Sequence, residues 1–161
     1  MTGYRVGIGV DAHAFGDGVP LVLGGVPIDS PRGLVGHSDG DVIAHALADA
    51  LLGAAALGDI GSFFPSNNER YRGADSLQLL AQVYALVRDA GFELVNADCV
   101  LIGEEPRIAP IRDEMRARLA RALGVAVEQI AVRATTTDRL GFSGRGEGLA
   151  AQAVSLLRES N

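Results

Sequence analysis

Tyr4, Val6, Ile8 and Val10 alternate with Arg5, Gly7, Gly9 and Asp11, which is the two-residue period of a strand. If the extended geometry continues two residues further, Asp11 and His13 share a face. Residues 21–28 predict a hairpin turning at Gly24-Gly25, and residues 29–40 a loop. A helix is expected from about Asp41 to Leu57, capped by Ser38 or Asp39, with Ser38 and Asp41 at the spacing of a capping box. It is apolar almost all round and rich in alanine, which predicts burial in a core or an interface. Its polar residues Asp41, His45 and Asp49 recur every four positions and form one stripe.

Residues 58–74 hold many turn formers and predict a long loop, a common form for a lid. A second helix is expected over 75–90, capped by Asp75 and stopped near Gly91. Residues 92–102 alternate as a strand, with Asn96 and Asp98 opposite Val95, Ala97, Cys99 and Leu101. Pro106 is expected to open a third, amphipathic helix whose buried stripe is Ile111, Met115, Leu119 and Leu123, ended by Gly124. Ile130 to Thr136 reads as a strand, and 148–158 fits a helix or a strand equally. This order predicts an α+β fold, an α/β sandwich with a mixed β-sheet, helices on one face and a small hairpin.

At 161 residues the chain is expected to form one domain, 1–161. The single cysteine, Cys99, excludes an intramolecular disulfide and a cysteine-rich zinc cluster. A net charge of -6 argues against a general nucleic-acid binder. There is no apolar run of the ~18 residues that a membrane span needs, and no leader character at the N-terminus, so a cytoplasmic location is expected. All 14 basic residues are arginine. The absence of lysine excludes a Walker A loop and Schiff-base catalysis.

All three histidines lie between positions 13 and 45, each close to aspartates. Asp11 and His13 from a strand and His45 from a helix could make a three-point metal site with an open fourth position, or be ordinary polar residues. Asp41, one turn before His45, reads as a helix-dipole partner or as a carboxylate that orients a histidine through its distal N–H. Asp49 reads as a surface carboxylate or an arginine partner. His37-Ser38, in a glycine-rich loop before a helix, suits an anion, or His37 is an ordinary exposed loop histidine. Thr135-Thr136-Thr137-Asp138 at a strand end suits either the strand itself or a phosphate with a hard cation. Pro106-Arg107 could place a guanidinium on a phosphate.

Taken together, Gly9–Phe15, Gly36–His45, Asp49–Ala54, Gly58–Gly61, Gly73–Ser76, Asn96–Asp98, Ala134–Thr137, Leu140–Phe142 and Gly144–Gly148 resemble the 2-C-methyl-D-erythritol 2,4-cyclodiphosphate synthase family of the non-mevalonate isoprenoid pathway. The resemblance spans essentially the whole chain. It implies a lyase in which the 2-phosphate of 4-diphosphocytidyl-2-C-methyl-D-erythritol 2-phosphate attacks the β-phosphorus, closes a cyclic diphosphate and expels CMP. It implies Asp11, His13 and His45 as zinc ligands, and Asp138 at a second cation, Mg2+ or Mn2+. His37 and Ser38 would position the 2-phosphate, Thr136 would stabilise the transition state, and His37 and Thr136 are the expected catalytic pair. Asp59 and Gly61 would hold the methylerythritol, with Phe64 to Asn68 as a covering loop. Gly103, Pro106, Arg107, Ala109 and Thr135 would frame the cytidine diphosphate. Phe142 and Arg145 would touch substrate or line a central channel. The resemblance further implies a homotrimer with sites between subunits, a strand over 148–158, and a central cavity suited to an isoprenoid diphosphate.

Three departures stand out: Asp138 where the family usually has Glu, Arg107 for Lys, and Ser66 with Asn67-Asn68 for an Asp-x-Asp loop. Two other readings use the same residues. One is a zinc hydrolase that activates water. The other is a non-catalytic trimer with a structural metal.

Overall fold

The computed structural model describes residues 3–161; positions 1 and 2 of the expected domain lie outside them. In chain order the elements are β1 (Tyr4–Asp17), β2 (Leu21–Leu23), β3 (Val26–Ile28), β4 (Arg32–Leu34), α1 (Val42–Ala54), α2 (Ile60–Phe63), α3 (Ser76–Asp89), β5 (Phe92–Ile102), α4 (Arg112–Leu123), β6 (Ile130–Thr135), α5 (Gly141–Gly144) and β7 (Gly148–Glu159). Five strands form one mixed sheet in the order β4-β1-β7-β5-β6, and β2-β3 is a separate hairpin. Only β5 and β6 run parallel, joined by a crossover through α4. The fold is α+β with helices packed on the sheet, as expected. The segment 148–158 is a strand, paired along its length with β1 and β5.

The orientation of β1 explains the alanine-rich helix. Gly7 and Gly9 face α1 and are buried, whereas Tyr4, Val6, Ile8 and Val10 point the other way and are exposed. A Cβ on Gly9 would sit 1.9 Å from the Ala46 carbonyl oxygen, and one on Gly7 would sit 2.0 Å from that of Ala50. The helix backbone therefore lies directly on the strand, and only small residues fit on both sides. Ala46, Leu47, Ala50, Leu51 and Ala54 are buried within the chain itself. Of the two alternatives, core or interface, the apolar character of α1 thus comes from the subunit core and does not require a neighbouring chain. The apolar face left over is the outer side of β1.

Several boundaries differ from expectation for local reasons. The cap of α1 is Asp41, whose Oδ1 accepts from the Ala44 amide at 3.1 Å, not Ser38 or Asp39. β1 runs six residues past Asp11, and its far end recruits β4 from the expected loop. The 58–74 loop contains α2 and a 3-10 turn at Glu69–Tyr71. Pro106 does not open the third helix; a 3-10 turn at Ala109–Ile111 does, and the left-handed Gly124 ends it as expected. In β5 an irregularity between Leu94 and Asn96 shifts the phase, so Phe92 and Leu94 join Ala97, Cys99 and Leu101 on the buried side, and Val95 does not. The hairpin turn at Gly24-Gly25 and the Asp75 cap of α3 stand as expected.

Candidate metal centre and substrate cleft

The alternation of β1 sends Asp11 and His13 to the face that α1 covers, and α1 presents His45 from above. The Asp11 Oδ2 lies 3.0 Å from His13 Nε2 and 3.0 Å from His45 Nδ1. One donor atom from each of the three residues falls within a sphere where all pairs are no more than 4.8 Å apart. The two rings meet edge to face at 5.8 Å between centroids. Burial acts to raise the Asp11 carboxyl, but the two imidazoles outweigh it and hold the group down at about 2. His13 is raised from its ordinary value, chiefly by its bond to Asp11 and against burial, with the Val35 backbone adding to the rise. A carboxylate flanked by two imidazoles suits a divalent metal.

The distal ring nitrogen of His45 is also occupied. Its Nε2 lies 2.7 Å from Ser76 Oγ and 3.1 Å from Ser38 Oγ. Ser76 Oγ donates to Asp39 Oδ1, and the Ser76 amide donates to Asp39 Oδ2 at 3.0 Å.

Asp41 takes a different role from the one expected. Its carboxylate accepts from the amides of Gly24 at 2.9 Å, Gly25 at 2.7 Å and Ala44 at 3.1 Å, and from no histidine. It is fully buried, and burial pushes it up to about 6 against the pull of these amides. Asp41 ties the α1 N-terminus to the β2-β3 turn, because a buried N-cap next to a glycine turn offers three amide donors to one carboxylate. Asp49 is half-buried rather than a surface group, and accepts from the Ile60 amide at 2.7 Å. Burial raises it, with Asp59 and Asp11 adding to the rise.

The cleft in front of the triad is lined by His37 and Ser38 on one side and by Gly61, Phe64 and Ser66 on the other. Asp59 caps α2 through bonds from the Ser62 amide at 2.9 Å and hydroxyl at 2.8 Å. His37 Nε2 donates to the Asn68 carbonyl at 2.8 Å, so Asn68 holds His37 through its backbone while its side chain caps the 3-10 turn. Ile60, Tyr71 and Leu79 also line the cleft, and sequence reasoning missed them, together with Ser76 and Asp39. Their only signal was position: Asp39 lies two residues before the Asp41 cap of α1, and Ser76 directly follows the Asp75 cap of α3.

A second pocket lies between β6 and the segment after β5. Gly103, Pro106, Arg107, Ala109, Thr135 and Thr136 line it, with Arg112 as an addition that sequence reasoning did not make. Beside it, Thr137 and Leu140 close a turn in which Asp138 and Arg139 adopt φ of 51° and 66°. Asp tolerates this left-handed geometry better than longer side chains, because its short carboxyl bonds locally; here Thr136 Oγ1 lies 3.4 Å from Asp138 Oδ1. The two pockets share no lining residue, so one chain does not bring Thr136 or Asp138 to the triad. Phe142 and Arg145 line neither, and Arg145 pairs with Glu147 at 2.8 Å. Among the described residues no helix is long and apolar enough to cross a membrane.

A profile of the YgbB family matches residues 4–158. Over 153 residues the chain is 61% identical to the 2-C-methyl-D-erythritol 2,4-cyclodiphosphate synthase of Moorella thermoacetica, covering 95% of this chain and 94% of that protein. The bifunctional IspDF of Campylobacter jejuni superimposes with a TM-score of 0.96 at 42% identity, covering all of this chain, which spans 44% of that longer one. The CDP complex of Plasmodium falciparum IspF gives a TM-score of 0.86 at 31% identity, covering 99% of this chain and 98% of the other. The chain belongs to the YgbB family and stands among its 2-C-methyl-D-erythritol 2,4-cyclodiphosphate synthases.

Proposed function

We propose that this chain converts 4-diphosphocytidyl-2-C-methyl-D-erythritol 2-phosphate to 2-C-methyl-D-erythritol 2,4-cyclodiphosphate and CMP. The observation that carries this reading is the convergence of Asp11, His13 and His45 at the floor of a cleft walled by His37 and Ser38. One oxygen and two nitrogen donors fit zinc, which Asp11, His13 and His45 would hold. Zinc bound there supplies Lewis acidity to a phosphoryl oxygen.

The chain's own work is positioning. An oxygen of the 2-phosphate forms a bond to the β-phosphorus as the bond from that phosphorus to the α–β bridging oxygen breaks, and the electron pair leaves with CMP. No protein nucleophile is needed; Cys99 is buried in the core, where burial pushes its thiol up to about 12. His37, held by the Asn68 carbonyl, and Ser38 face the end where the 2-phosphate must sit. Asp59 and Gly61 hold the methylerythritol, under Phe64 to Asn68. The second pocket takes the cytidine diphosphate: Arg107 replaces lysine with a planar fork suited to phosphate oxygens. Thr136 donates to charge that develops at the β-phosphate, and Asp138 would help to hold Mg2+ or Mn2+, which would neutralise phosphate charge.

The separation of the pockets supports a homotrimer in which one subunit's triad faces a neighbour's second pocket. So does the stripe of Tyr4, Val6, Ile8 and Val10, which are 60–69% exposed on the outer face of β1. Contiguous apolar surface of this kind marks an interaction site. In this arrangement Phe142 and Arg145 lie toward a central cavity suited to an isoprenoid diphosphate, residues 1–161 act as one domain, and the location is cytoplasmic. The hydrolase and binding-module readings gain no support from the relatives. Phosphorus NMR of the purified protein with substrate and Mg2+ tests the reaction. Cyclic diphosphate with equimolar CMP is expected; a linear phosphate product with CMP would instead establish a hydrolase.

A further inference from the structure

We infer that Ser76, held by Asp39, is a positioning residue that fixes the His45 ring for the metal. The inference rests on the metal reading of the cleft.

An imidazole binds a metal through one lone pair, and its other nitrogen then carries a hydrogen that needs an acceptor. His45 Nδ1 faces Asp11 Oδ2 at 3.0 Å, so it is the nitrogen turned to the triad, and Nε2 is the one that must donate. Two hydroxyl oxygens are within reach, Ser76 at 2.7 Å and Ser38 at 3.1 Å. The network decides between them. The Ser76 hydroxyl hydrogen is committed to Asp39 Oδ1, which leaves its lone pairs free to accept from His45. Asp39 is itself fixed, because Oδ2 accepts from the Ser76 amide at 3.0 Å and Oδ1 accepts from the Asp41 amide at 3.1 Å. Donation therefore runs in one direction, from His45 to Ser76 to the Asp39 carboxylate. A charged terminus strengthens each bond in such a chain.

The surroundings reinforce this assignment. Ser76 is 1% exposed and opens α3, where the Asp75 cap fixes its backbone. Ser38 is only half-buried and faces the cleft, so its hydroxyl remains available to substrate. Ser76 and Asp39 also belong to separate segments. Their bond, together with the Asp39 amide donating to the Ala74 carbonyl at 3.2 Å, ties the α3 N-terminus to the loop before α1. This chain takes the orienting role that the sequence suggested for Asp41.

The test compares Ser76→Ala, Asp39→Asn and Ser38→Ala with wild type and with His45→Ala. Zinc affinity is read by competition with a chromophoric chelator, ligand geometry by the visible spectrum of the Co2+ form, and folding by circular dichroism and melting of the metal-free proteins. The zinc dissociation constant is expected to rise about 10–100-fold for Ser76→Ala and roughly 10-fold for Asp39→Asn, and to stay within about twofold for Ser38→Ala. The Co2+ spectrum of Ser76→Ala should shift as the ring gains freedom, which loss of stability alone would not produce. Wild-type affinity and an unchanged spectrum in Ser76→Ala overturn the inference, as does an equal loss in Ser38→Ala. If Ser76→Ala does not fold, Asp39→Asn decides: unchanged affinity and spectrum there overturn it as well. Failure of the metal reading looks different, since wild type would then bind no zinc or His45→Ala would bind it equally.

Discussion

In the cleft, every ligand side chain already has partners. Asp11 lies between the two imidazoles and is the partner of both, and His45 is backed by Ser76 and Asp39. In the second pocket Arg107, Thr135 and Thr136 are exposed, and beside it Asp138 and Arg139 stand in left-handed backbone geometry. One region is preorganised by the subunit core; the other presents hydroxyls and a guanidinium on an open surface. The difference teaches that the triad's geometry is set by the subunit fold, whereas the second pocket is left open to whatever binds against it. Electrostatic preorganisation has most effect where water is excluded, so the open pocket gains most from whatever covers it, which in the proposed trimer is substrate and a neighbouring subunit.

The contrast breaks most sharply at the metal ligands. His13→Ala or His45→Ala should lose zinc, measured by elemental analysis, and lose turnover by at least about 1000-fold. Asp49→Ala should keep its zinc, because Asp49 bonds the Ile60 amide and not the triad. A smaller effect comes from the support beneath the cleft. Gly9→Ala forces a Cβ to within 1.9 Å of the Ala46 carbonyl and must lift α1 from β1. It should cost about 3 kcal/mol in urea denaturation, the upper end for overpacking, and weaken zinc binding as well.

Thr136→Ala sharpens the comparison from the other side. It should lower kcat about 100-fold, the loss typical of one transition-state donor, with zinc affinity unchanged. Loss of zinc in this variant would show that the two halves are not separate. The smallest effect is on pH dependence in the metal-free protein. Asp11 is depressed from 3.8 to about 2 in the folded state, so its contribution is fully present above the ordinary carboxylate value and is lost as pH falls through about 2. His13 is raised, so its contribution is present below its ordinary value of 6.5 and is lost as pH rises through its higher folded value. The melting temperature of chelated protein should therefore peak between those limits. Asp11→Asn should flatten both flanks.

The triad was legible because strand and helix periods place Asp11, His13 and His45 on facing sides, and histidine is scarce elsewhere in the chain. The β2-β3 turn and the Asp75 and Gly124 caps were legible because each depends on one local residue type. The roles of Asp41 and Asp49 were not, since each carboxylate bonds amides distant in sequence or beyond a turn. Ser76 and Asp39 lie 37 positions apart, and no periodicity links them. The outward side of β1 was also hidden: alternation identifies two faces, but only the packing of α1 on Gly7 and Gly9 shows that the glycine face is the buried one.

The most direct test of a site divided between subunits is complementation. His45→Ala and Thr136→Ala proteins, each at about a hundredth of wild-type turnover or less alone, would be unfolded together in equal amounts and refolded with zinc, and CMP release measured. If each site joins one subunit's triad to a neighbour's second pocket, random mixing restores about a quarter of the sites, and activity should return to about that fraction of wild type. Activity no greater than the sum of the two variants, in oligomers shown to contain both, would contradict the account.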